Sequence, residues 1–294
     1  MQKNTYSRIG FALVVSWVAS IVMQFIMDLI CAEFFPVFFN SPYYYWTMYI
    51  VCFYMIAVPL FALICGPGEK TDYPKRRITP RDFVRLIFVC ISLTYIFNFV
   101  GALVNSYISN MVGHTVVNPL DTLENTDRVL MFLCSCIISP VMEEIMFRGI
   151  VIKKTLPYGE KAAVWFSAFA FGLFHGNFSQ FFYALVLGLV FAVITVKTNR
   201  LMYTILLHVA VNISGSFVFP KLLESENTII QGVGLYVLLA VIIYGIVVVF
   251  KMLPYLKLGE RFKPGEIRQM VINPGAMSFI AVSFVMFYSA ISLP

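Results

Sequence analysis

Apolar runs long enough to cross a bilayer follow one another along almost the whole of this 294-residue chain, and only short polar stretches separate them. The hydrocarbon core of a membrane takes about 20 mostly apolar residues per helix. Runs that reach or approach that length occupy 9–31, 43–65, 84–106, 128–152, 161–175, 178–196, 201–219, 229–250 and 275–293. The fifth is short, and Gly176-Asn177 is its only break from the sixth. That spacing predicts a helical hairpin whose tip need not reach the far surface. The pattern as a whole predicts an all-α fold, a polytopic transmembrane helical bundle of about eight to nine spans. A single membrane-embedded domain over 1–294 accounts for it, because the longest polar interval, 66–85, is too short to bury a core of its own.

Composition points the same way. Apolar residues make up 60 % of the chain and charged residues 12 %, against roughly 25 % charged in soluble domains. The first run follows Lys3 and Arg8, exceeds a signal-peptide core of about 7–15 residues, and lacks a small-residue cleavage site. It is expected to stay as the first span. The net charge of +6 is distributed as a topology signal. Lys3 and Arg8, then Lys70, Lys75, Arg76, Arg77, Arg81 and Arg85, then Lys153, Lys154 and Lys161, then Lys197 and Arg200, and last Lys251, Lys257, Arg261, Lys263 and Arg268 fall in every second loop. The alternate loops carry only Arg128 and Lys221, beside Asp121, Glu124, Asp127, Glu224 and Glu226. Cytoplasmic loops are the basic ones, so the N-terminus is expected inside, the lipid bilayer is the surrounding partner, and nucleic acid is not. Short loops suit a bacterial plasma membrane. The six cysteines lie in or beside apolar runs without a metal-ligand spacing, and read as small buried hydrophobes.

Ionisable groups at membrane depth are costly and serve as functional-site hypotheses by default. Away from helix ends they are Asp28, Glu143, Glu144, Arg148, His175 and His208, with Asn98 and Asn212 as neutral amides. Asp28, near one end of the first run, reads as a helix-end acid reaching the interface. Glu144 and Arg148 share a helix face at i, i+4 with the acid first, the favourable order. Glu143 points about 100° away and has no partner within its own helix, so it is the carboxylate left free to act on a proton. The bland alternative is a structural ion-pair cluster. Against it stand Phe171 with His175, and His208 with Asn212, each at i, i+4 on two further helices. At about 1.5 Å per residue, Glu143, His175, His208 and Asn212 lie roughly 12–21 Å from the basic ends of their helices, in one slab near the midplane.

Glu143-Glu144-x-x-x-Arg148, Phe171-x-x-x-His175 and His208-x-x-x-Asn212, in order on successive membrane helices, resemble the motif set of the CAAX protease and bacteriocin-processing (CPBP) family of intramembrane endopeptidases, which includes the type II CAAX prenyl endopeptidases. The resemblance covers 128–219, the expected catalytic core helices. It implies that Glu143 and His175 activate a water, that His208 and Asn212 form the oxyanion hole, and that Glu144, Arg148 and Phe171 support them. It implies hydrolysis of a peptide bond in a membrane-associated or lipid-modified protein or peptide. Zinc held by Glu143, His175 and His208 is the alternative to a metal-free site. No HExxH places two histidines and a base on one helix, and the metal-free glutamic scheme is favoured. A non-catalytic scaffold or immunity protein of the same fold, and a proton-coupled transporter, are the competing functions. The transporter is disfavoured because no internal repeat is visible.

Overall fold

The computed structural model describes residues 2–66, 76–116, 126–252, 258–259, 262 and 264–292. Lys70, Lys75, Asp121, Glu124, Lys257, Arg261 and Lys263 lie outside the described residues. Among the described residues there is no strand, and nine long helices follow the nine apolar runs in order. They are α1 (Gln2–Phe34), α2 (Tyr44–Cys65), α3 (Pro80–Val112), α4 (Arg128–Tyr158), α5 (Glu160–Phe174), α6 (Phe178–Thr198), α7 (Leu201–Leu223), α8 (Thr228–Met252) and α9 (Pro274–Ser292). Eight are long and apolar enough to span a membrane; α5, with 15 residues, is not. The chain is an integral, multi-pass membrane protein.

The bundle is apolar on its outside as well as inside. Phe25, Leu29 and Phe34 of α1 and Ile229, Tyr236, Ile243 and Phe250 of α8 are exposed. Large exposed apolar surface of this kind is what a lipid-facing helix presents. Facing inward, α1 packs on α2 and α9, α6 packs on α3 and α5, and α4 packs on α5 and α7. The six cysteines are free and buried.

Two glycines fix where the site forms. Gly176 turns the chain between α5 and α6 at φ +65°, a left-handed conformation that favours glycine. Asn177 then caps α6, its Oδ1 accepting from the Gln180 N–H at 2.9 Å. The α5–α6 hairpin therefore ends within the bundle and leaves His175 at its tip. Gly188 of α6 lies against the Ala168 backbone of α5, where an added Cβ would stand 3.1 Å from the Ala168 Cα. The close approach lets Arg148 reach the Gly188 carbonyl.

Candidate active site

Helix α4 supplies the first set of side chains. Ser135, Ser139 and Glu143 recur at i, i+4 and i+8, so they share one face, and all three line one cavity. Pro140 sits inside the helix, and wide π turns flank the Ser139–Glu144 segment at Leu133–Ile138 and Ile145–Ile152. Such turns disturb the regular ladder and commonly occur at functional sites. The Tyr54 hydroxyl of α2 donates to Ser139 Oγ and ties that face to the neighbouring helix.

Glu144 and Arg148 are both fully buried, with Arg148 Nη1 2.9 Å from Glu144 Oε1. The same Oε1 lies 3.2 Å from His208 Nδ1 on α7. Arg148 Nη2 donates to Gly188 O at 3.3 Å, and its Cζ lies 4.3 Å from the centre of the Phe171 ring and 5.4 Å from that of Phe191. A delocalised guanidinium between two aromatic faces gains from their quadrupoles in addition to its carboxylate. Phe171 also meets the His175 and His208 rings edge-on, at 4.9 and 5.8 Å between centroids. Thus Glu144, Arg148 and Phe171 form the floor on which both histidines rest.

Glu143 is on the other side of that floor. It keeps 15 % of its side chain exposed where Glu144 and Arg148 keep none, so it is the carboxylate that the cavity can reach. Its Oε2 stands 3.8 Å from His208 Nε2, close enough for charge interaction and too long for a hydrogen bond. The interaction with His208, rather than with His175, was not readable from the sequence.

His175 caps the end of α5 and has Nδ1 2.8 Å from the Phe171 carbonyl oxygen. A carbonyl only accepts, so Nδ1 carries the hydrogen and a neutral ring presents Nε2 as a proton acceptor. On α7, Asn212 Nδ2 donates to Ser135 O at 2.8 Å. That bond uses one amide hydrogen and leaves the other. Glu143, His175, His208 and Asn212 all line a cavity of about 550 Å³. Among the described residues no three His, Cys, Asp or Glu side chains are grouped as a metal site.

The cavity also holds neutral polar side chains that the sequence reading passed over. Asn177 Nδ2 donates to Gln180 Oε1 at 2.8 Å, and Gln180 Nε2 donates to Tyr183 OH at 3.1 Å. These three, with Tyr49, Ser135 and Ser139, line the same space. The signal available for them was spacing: 177, 180 and 183 recur every three residues at the start of α6, and 135 and 139 step towards 143. Asp28 has partners that the sequence reading did not name. Its Oδ1 accepts from Gln24 Nε2 at 2.7 Å and from Tyr44 OH at 2.6 Å, which turns it towards α2.

Residues 125–214 match the family model of the type II CAAX prenyl endopeptidase Rce1-like proteins. The matched stretch takes in Glu143, Glu144, Arg148, Phe171, His175, His208 and Asn212. No curated protein and no solved structure matches the chain.

Proposed function

We propose that this membrane protein is an intramembrane endopeptidase of glutamic type, which hydrolyses a peptide bond in a membrane-associated or lipid-modified protein or peptide. The observation that carries this reading is the single cavity onto which Glu143, His175, His208 and Asn212 open from three helices, within the stretch that matches a CAAX endopeptidase model.

The chemistry needs a water that is deprotonated as it attacks, and donors for the oxygen that becomes negative. Glu143 and the free Nε2 of His175 hold the water, and Glu143 takes its proton. The water oxygen bonds to the carbonyl carbon, and the carbonyl π pair moves onto oxygen. Asn212 donates its second amide hydrogen to that oxyanion, and a second hydrogen bond from His208 Nε2 requires the imidazolium, since Nδ1 faces the Glu144 carboxylate. The C–N bond then breaks as Glu143 passes the proton to the leaving amine, and both products leave with the base restored. No metal takes part in these steps. Glu144 holds His208 by Nδ1, so that Nε2 is the nitrogen turned to the cavity. The N-terminus lies on the cytoplasmic side, in a bacterial plasma membrane. The reading is tested by comparing protein termini in membranes that carry the wild-type protein with those that carry Glu143→Gln.

A further inference from the structure

A second cavity, of about 620 Å³, lies between α1 and α2 and shares Ser20, Ile21, Tyr45, Tyr49 and Phe53 with the cavity that holds Glu143. The two cavities adjoin across these residues, which puts the second within reach of a peptide held at the first. Aromatic rings dominate the second cavity: Phe25, Phe39, Tyr44, Tyr45, Tyr49 and Phe53. The charge in it is Asp28. Both groups that reach this carboxylate, the Gln24 amide and the Tyr44 hydroxyl, are neutral and act on Oδ1. None of the ion pairs among the described residues involves Asp28.

A carboxylate set among aromatic side chains without a cation has an unmet charge. Hydrogen bonds to one oxygen orient it and leave the other available. Lysine and arginine bury an apolar stem and keep a charged tip, and aromatic faces attract that tip as well as the stem. An aromatic-lined cavity ending in an oriented, unpaired carboxylate matches such a side chain in both parts.

We propose that Asp28 and the aromatic cavity beside it form a specificity subsite that takes a lysine or arginine side chain of the substrate. The subsite rests on the endopeptidase reading, and its test is a binding measurement that does not depend on turnover. The probe is a set of fluorescent apolar decapeptides, each with one lysine at a different position, and a parent with glutamine there. Binding is measured by anisotropy to Glu143→Gln protein in maltoside micelles, with and without Asp28→Asn. Asparagine keeps the acceptor for Gln24 and Tyr44 and removes the charge.

At one lysine position, binding should be roughly tenfold or more tighter than the parent, the scale of a charge-assisted hydrogen bond. Asp28→Asn should erase the preference, and Asp28→Glu should retain it if the asparagine variant fails to fold. Equal preference with and without the Asp28 charge overturns the proposal. So does a preference present in micelles but lost in phosphatidylethanolamine nanodiscs, which assigns the site to a lipid ammonium. A lysine preference in a protein that never cleaves would leave the subsite standing and remove the protease reading. Cleavage by wild type without any lysine preference would do the reverse.

Discussion

His208 Nδ1 lies 3.2 Å from Glu144 Oε1, the oxygen that Arg148 also holds at 2.9 Å. One buried oxygen therefore orients a histidine from α7 and neutralises an arginine of its own helix. The acidic doublet divides on this basis, with Glu144 turned into the protein and Glu143 into the cavity.

Glu144→Gln should be a stability variant first. It leaves Arg148 buried with no carboxylate, and breaking a buried pair from one side costs about 3–5 kcal/mol. Thermal unfolding in detergent should show a lower midpoint and the purified yield should fall. A Glu144→Gln protein as stable as wild type would contradict the role given to this pair.

Asn212→Ala should separate binding from chemistry. Losing one oxyanion donor typically lowers kcat by about 10²–10³. The expected result is a fall of that size in kcat with KM little changed, in a protein that still unfolds cooperatively. A change confined to KM would place Asn212 in substrate binding instead.

The architecture was largely legible in the sequence because a bilayer demands long apolar segments, and each of the nine runs became one helix. The shortness of α5 was legible too, from Gly176-Asn177. The candidate site was singled out through charge: Glu143, Glu144, Arg148, His175 and His208 stand out in an apolar chain because burying them is expensive. Gln180, Tyr183, Ser135 and Ser139 were missed for the converse reason, since neutral polar side chains cost far less and the chain holds 16 tyrosines. The partner of Glu143 was missed because the distance between α4 and α7 depends on packing, which helical spacing within one segment does not encode. The bond from Tyr44 to Asp28 was not legible because Tyr44 lies on another helix.

The charge pattern of the loops makes a topological prediction. A cysteine at exposed Arg81 should resist a membrane-impermeant thiol reagent in intact cells, while one at exposed Glu226 should react. The native cysteines are buried and give little background. Labelling in the opposite sense would invert the orientation.

A metal-free site predicts that peptide cleavage survives exhaustive chelation and that purified protein holds far less than one equivalent of zinc. A catalytic zinc usually takes three protein ligands, and using Glu143, His175 and His208 for it would leave no glutamate free as the base. Stoichiometric zinc, with activity lost to a chelator and restored by adding the metal back, would reverse this assignment.

The central claim is that Glu143 activates water to cut a peptide bond. Its most direct measurement compares protein termini in membranes from cells that carry wild-type protein or Glu143→Gln, with both proteins present at equal level and equally stable. A parallel incubation of wild-type membranes in ¹⁸O-water labels any carboxylate newly formed by hydrolysis. Wild-type membranes should contain new termini on membrane-associated proteins, absent with Glu143→Gln, and the matching N-terminal fragments should carry ¹⁸O in their new C-terminal carboxylate. Identical termini in the two samples, or cleavage undiminished by Glu143→Gln, would contradict the account.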